Sequence, residues 1–315
     1  MIDSYVLRRL GTLLLTVVFV ILLTFFAFRI IPGNPALAIL GTEASEEQIE
    51  ALLAKLGANQ PLYEQFFHWL QDLAIFELGE SLRYSQPVLE LIADRIPVTV
   101  SLAFMSFGLT IVIAIPLGIT AARARGKFID LVISIGTQLG LAIPSFWSGI
   151  MLILVFGLAL KWFSISNFVP WSEDPWLAFK SLLLPSIAIA IPQVAIIVRY
   201  LRTTMLEQLN LDYVRTAYSK GLSDFTIYFR HVLKNALIPV ITVAGMNFGE
   251  IVAGSLVIEQ VFTLPGLGRL LITAIGNRDY PLVQGIVLIV AFAVVLINFV
   301  VDLSYRWLDP KIRLK

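Results

Sequence analysis

Apolar residues run through this chain in long blocks separated by short charged segments. A helix needs about 20 mostly apolar residues to cross a hydrocarbon core, and six blocks meet that length, at roughly 10–30, 97–122, 129–160, 181–206, 236–258 and 284–305. Each predicts a membrane-spanning helix. The first follows Arg8 and Arg9 and continues to about Phe28, too long for a signal-peptide core and without a small-residue cleavage site, so it reads as a retained span. Residues 32–96 form the longest insert between blocks, opening on a Pro-Gly-Asn-Pro turn at 32–35. Ser45 ahead of Glu46, Glu47 and Gln48 predicts a helix start, with Ile49, Leu52, Leu53 and Leu56 at helical spacing until Gly57. A second insert helix is expected from Pro61 to about Leu73, with Leu62, Phe66, Trp69 and Leu70 on its apolar side. Such an insert caps the mouth of a pathway, receives a partner, or simply packs on the helix ends.

Within the blocks, Pro116 and Gly118, Pro144, and Pro185 and Pro192 disturb the second, third and fourth spans. Gly245, Gly249 and Ala253 recur every four residues in the fifth, a spacing that lets another helix approach closely. Glu250 is the acid expected deep in the bilayer, where a charge costs about 2.5–3.5 kcal/mol. It either lines a pathway for a positively charged substrate group or locks two helices together by a hydrogen bond.

The chain has 315 residues, 58% hydrophobic and 14% charged, with a mean hydropathy of +0.85. That balance excludes a water-soluble globular domain and predicts an all-α integral membrane protein. A net charge of +1 hides an asymmetry between loops. Arg8 and Arg9, Arg123, Arg125 and Lys127, Arg199 to Lys234, and Arg306 to Lys315 gather on one side, while Glu43 to Asp94 supply an acidic excess on the other. The positive-inside rule makes the basic side cytoplasmic, with both termini inside. Cysteine is absent, which excludes disulfides and thiolate metal sites.

The most patterned polar stretch is 212–239. On a helix Val214, Ala217, Tyr218 and Gly221 share one small apolar face, with Arg215, Thr216, Ser219 and Lys220 off it. Gly221 is placed to end this helix in a left-handed cap, and Ser223 to start a second carrying Phe225 and Phe229, with Arg230, His231 and Lys234 near its end. The stretch is either a docking element at the membrane surface or an ordinary loop whose charges set topology. Catalytic patterns are missing: there is no HExxH or GxSxG, and the two histidines, His68 and His231, are far apart. Gly126-Lys127 lacks the upstream glycine of a Walker A loop, and Gly266-Leu-Gly268 continues as Arg-Leu-Leu, so neither binds a nucleotide.

Residues 212–239 also resemble the EAA loop of bacterial ABC importer permeases. The likeness extends through Tyr213 to Ala217, Lys220 to Ser223, Arg230-His231, Asn235 to Pro239, Pro265 to Arg269, Asn277 to Pro281 and Asp309 to Arg313. Upstream, Arg9-Leu10, Pro32 to Pro35, Gln60 to Tyr63 and Leu78-Gly79 fit the same pattern, that of the first permease subunit in the dipeptide, oligopeptide and nickel branch. Arg215 stands where the general motif has Glu, and Asn34 where relatives often have Asp. The resemblance implies six transmembrane helices in a type I ABC importer permease fold, with an extracytoplasmic helical insert after the first span. It divides the chain into 1–31 (N-terminus and first span), the insert 32–96, a core at 97–306 containing a cytoplasmic coupling loop at 207–235, and a tail at 307–315.

The resemblance further implies a non-catalytic subunit in a bacterial cytoplasmic membrane. It would import di- or oligopeptides beside a second permease, two ATP-binding cassette subunits that carry the ATP and Mg, and an external binding protein. No cofactor would sit in this chain and no nucleic acid would bind it. Asp212, Tyr213, Val214, Arg215, Ala217, Lys220, Gly221, Ser223 and Arg230 are the expected coupling residues, while Glu250 stays the candidate pathway residue by its place in the fifth span, with the helix lock as its alternative. Nickel, metallophore or glutathione import is the alternative within the family. A standalone ion-coupled carrier or a membrane scaffold is the alternative outside it.

Overall fold

The computed structural model describes residues 4–30, 44–55, 59–164 and 168–308. The turn expected at 32–35, the Leu56 and Gly57 end of the first insert helix, and the motif at 309–313 lie outside the described residues. Hydrocarbon offers a backbone amide no water, so a chain this apolar must close its hydrogen bonds within each segment. The regular structure of the described residues is accordingly helical, joined by short turns and loops, apart from an isolated bridge between Glu80 and Pro87. In order these are α1 (Ser4–Ile30), α2 (Glu46–Lys55), α3 (Leu62–Ala74), α4 (Val88–Ala93), α5 (Ile96–Arg123) and α6 (Phe128–Ala142). They continue as α7 (Ser145–Ala159), α8 (Pro175–Leu209), α9 (Asp212–Ser219), α10 (Asp224–Val261), α11 (Leu267–Gly276) and α12 (Tyr280–Leu308).

Helices α1, α5, α8, α10 and α12 are each long and apolar enough to cross a membrane. The span expected at 129–160 is not one helix: α6 and α7 meet at a bend of 102°, so among the described residues the count is six only when this broken pair is taken as one span. Pro144 is the cause. Its ring disfavours a helical conformation at the preceding residue, and Ile143 is extended at φ −91° and ψ 121°. The helix restarts at once, with the Ser148 amide donating to the Pro144 carbonyl at 3.1 Å. Pro116 in α5 and Pro185 and Pro192 in α8, by contrast, stay inside continuous helices.

The chain divides into two compact units, residues 1–97 with 266–295 and residues 98–265 with 296–315. In the second, α8 is the central helix: 61% of its most apolar window is buried, against 11% for α1. It starts at Asp174, whose carboxylate accepts from the Trp176 and Leu177 amides at 2.9 and 3.0 Å, and it packs on α10, α6 and α7. Gly118 lets α5 close onto it, since a Cβ there would stand 2.8 Å from Leu201 Cδ2. The small-residue row of α10 splits by position. A Cβ on Gly245 would stand 2.7 Å from Val301 of α12, Gly249 is buried, and Ala253 is exposed.

In the first unit, Ser45 and Gln48 cap α2 reciprocally: the Gln48 amide donates to Ser45 Oγ at 3.3 Å and the Ser45 amide to Gln48 Oε1 at 3.1 Å. The segment between α3 and α4 is held by Asp279, a buried carboxylate just before α12. Ser81 Oγ donates to its Oδ2, and the Leu82 and Arg83 amides donate to it at 3.2 Å each. Two motifs read separately in the sequence, Leu78-Gly79 and Asn277 to Pro281, thus flank one joint. Hydrogen bonds to a charged group contribute about 1.5–3 kcal/mol each. Asp279→Ala should therefore open this segment and speed tryptic cleavage after Arg83 by about tenfold or more. An unchanged cleavage rate would show that the loop is held by other contacts.

Candidate functional site

The polar stretch after α8 folds as two helices and a tight turn. Asp212 stands in the first turn of α9, where a carboxylate is favoured by the helix dipole, and Arg215 Nη1 donates to it at 3.3 Å on an exposed surface. The Tyr213 hydroxyl donates to Gln208 Oε1 at 2.9 Å, tying α9 back to the last turn of α8. Partial burial, with the Asp224 carboxylate nearby, raises the Tyr218 phenol above its ordinary range and keeps it neutral. At the far end Gly221 has φ +75°. Its amide donates to the Tyr218 carbonyl at 2.9 Å, and the Leu222 amide reaches the Ala217 carbonyl at 3.3 Å. That is the Schellman pattern, which favours glycine at the left-handed position. Ser223 then caps α10, accepting from the Thr226 amide at 3.4 Å.

The sequence reading offered Val214 and Ala217 to a partner, and here the structure corrects it. They are 1% and 7% exposed and belong to an apolar cluster with Ile119 and Ala122 of α5, Leu201 and Met205 of α8, and Ile227 of α10. The small face of α9 is seated on the chain's own spans because a short helix next to apolar helix ends buries its apolar positions there first. Tyr218 and Gly221 lie off that seat and are exposed, together with Asp212, Arg215, Lys220, Ser223 and Arg230. Leu211, Leu222 and Phe225 add apolar surface to this outward side, Phe225 being 66% exposed with its ring 4.6 Å from that of Phe229. Leu211 and Leu222 were missed in the sequence because they flank α9 and fall outside its helical period.

A second joint lies at the root of this element. Arg202, on α8, meets Asp130, on α6, through two parallel bonds: Nε to Oδ1 at 2.7 Å and Nη2 to Oδ2 at 2.8 Å. Asp130 also accepts from the Gly126 amide at 3.0 Å. Its side chain is 8% exposed, so the loop between α5 and α6, the start of α6 and the end of α8 are pinned at one carboxylate. The sequence counted Arg202 only as a topology charge.

Glu250 is exposed on α10 and makes no helix lock within the chain's described residues. The fully buried acid of this helix is Glu259, which accepts from Thr99 Oγ1 of α5 at 2.6 Å. The two acids are nine residues, about two and a half turns, apart and so lie on opposite faces. The expected span ended at 258, which left Glu259 out of view. Val214→Ala should lower the thermal stability of the isolated chain in detergent by about 2 kcal/mol, while Phe225→Ala should change it by less than about 0.5 kcal/mol. The reverse order would return the small face of α9 to a partner.

Similarity to known families extends over nearly the whole chain, and similarity to a solved structure over 70% of it. The family described as "Binding-protein-dependent transport system inner membrane component" matches residues 114–314. "Binding-prot-dependent transport system membrane comp, N-term" matches residues 1–103. A candidate peptide transport system permease protein of Brucella melitensis is 41% identical over 313 residues, covering 99% of each chain. The di/tripeptide transport system permease protein of Pseudomonas aeruginosa is 37% identical, covering 98% of each. Among solved structures, an inward-facing MetNI methionine ABC transporter matches with a TM-score of 0.58 at 16% identity, over 70% of this chain and 97% of that one.

Proposed function

This chain belongs to the family of binding-protein-dependent transport system inner membrane components, and we propose that it is the permease subunit of an ATP-driven importer of di- and oligopeptides. Its fold is that of a type I importer permease. In this reading the basic loops face the cytoplasm, residues 32–96 face outward, a second permease completes the pathway, and two ATPase subunits carry the ATP and magnesium. An external binding protein delivers the substrate. Peptide stands ahead of nickel, metallophore or glutathione because full-length relatives carry peptide-transport names.

The observation that carries the coupling role is the two-sided build of α9. Val214 and Ala217 fix the helix to the spans, leaving the side with Arg215, Tyr218, Lys220, Gly221 and Phe225 for an ATPase cleft. Movement of the cleft is then passed to α8 and α10 without slack, because α9 is tied to one by Tyr213 and packed on both. A Cβ on Gly221 meets nothing within 4 Å, so a side chain there is resisted by the left-handed backbone at φ +75° and not by packing against the chain.

Gly221→Trp and Phe225→Asp should insert normally yet weaken ATPase co-purification more than tenfold, as expected when a central contact worth about 2 kcal/mol is lost. Peptide uptake should fall with it. Full ATPase retention with wild-type uptake in both variants would remove the element from the coupling role. Glu250, exposed on α10, is the proposed pathway residue for positively charged peptide groups. Glu250→Gln should reduce uptake of cationic peptides more than neutral ones with the assembly intact; equal loss for both, with loss of the complex, would instead make Glu250 an assembly contact.

A further inference from the structure

We propose that α3 lies along the membrane surface at the Ile30 end of α1, with half of its apolar face immersed in the edge of the lipid hydrocarbon. At about 100° per residue, every apolar side chain of α3 falls in one arc of about 160°. Glu64, Gln65, His68, Gln71 and Asp72 fill the other. One half of the apolar arc is occupied by the chain itself: Phe66 and Trp69 pack on Phe25 of α1, with ring centroids 5.1 and 5.6 Å apart. In the sequence Phe25 stands four residues before Arg29, the charge that ends the apolar run following Arg9. That contact sets the height of α3 at the level where hydrocarbon gives way to headgroups.

The other half of the arc, centred on Tyr63 and Phe67, is 63% and 60% exposed. It is joined to the exposed side of the span by ring packing. Phe26, an exposed side chain of α1, meets Phe25 at 5.4 Å, Phe25 meets Phe66, and Phe66 meets Phe67 at 5.9 Å. The same ring cluster therefore ends in one exposed ring on the span, Phe26, and one on α3, Phe67, with Phe25 buried between them. Tyrosine, here Tyr63, favours this depth, and a helix with a wide apolar arc and a polar back is built to lie in the interface plane. The chemistry also specifies what α3 does not need. It carries Glu64 and Asp72 but no Lys or Arg, so it is held by apolar burial and has no use for anionic headgroups.

The chain has no cysteine, which allows single nitroxide labels. Tyr63→Cys, Phe67→Cys, His68→Cys and Asp72→Cys would each be labelled in the full-length chain, in the assembly with which it purifies. The reconstitution would use nanodiscs of phosphatidylethanolamine and phosphatidylglycerol, and repeat nanodiscs of phosphatidylcholine alone. The ratio of collision rates with oxygen and with a polar nickel chelate should be several-fold higher at 63 and 67 than at 68 and 72, equally in both lipids. Labels at 63 and 67 that are immobile and shielded from both reagents would place a protein on this face and overturn the proposal. Ratios at 63 and 67 equal to those at 68 and 72 would place it in water, and a ratio lost in phosphatidylcholine would replace apolar burial with headgroup recognition; either result also overturns it.

Discussion

Burial of Val214 and Ala217 is the contact on which the polar end of this protein depends. Without it, residues 212–219 would be a short helix of marginal stability in water, far below the length at which isolated helices persist. With it, an eight-residue element is held to three spans through two small side chains. Fully burying a valine contributes about 1.5–3 kcal/mol, which is large for so short a segment. The seat also leaves a rigid polar side facing outward. A mobile loop would let an attached partner move without consequence for the spans, and a seated helix does not.

The same logic of pinning recurs at the root of the element. Asp130 gathers Arg202 and the Gly126 amide, so the end of α8 cannot shift without disturbing the loop that leads into α6. Helix α6 in turn ends at the break before Pro144. On the proposed reading, motion delivered at α9 arrives at a helix that contains two prolines, Pro185 and Pro192, and at a span already broken in two. Both are places where a membrane helix changes direction at lower cost than a regular one.

Local chemistry was legible in the sequence. Ser45, Ser223 and Gly221 have the roles their residue types predict, because capping and left-handed turns are decided within a few residues. The spans were legible for a similar reason, since apolar length is a property of a window. What escaped the sequence were matters of partner and angle. Periodicity marked the small face of α9 but carried no information on whether that face met its own chain or another. Glu250 and Glu259 differ by half a turn of phase, and a boundary placed one residue early hid the buried one. Pro144 was visible as a disturbance, yet Pro116, Pro185 and Pro192 are tolerated inside helices, so the residue type alone did not mark the bend.

The joint at Asp279 has a consequence for the order in which the protein is made. Ser81 and Asp279 are 198 residues apart, and the unit that holds them is assembled from the two sides of an uninterrupted stretch, 98–265, that forms the body of the other. Synthesis therefore delivers most of the second body, residues 98–265, as one stretch, while the first must wait for residues 266–295. From the emergence of residue 81 until residue 279 leaves the ribosome, the Leu82 and Arg83 amides lack the carboxylate that receives them in the finished protein. Closing so long a loop is entropically slow when its reward comes only at the end. The segment around Ser81, translated well before Asp279, settles late, and through that interval it depends on water and on the membrane surface to satisfy its polar groups.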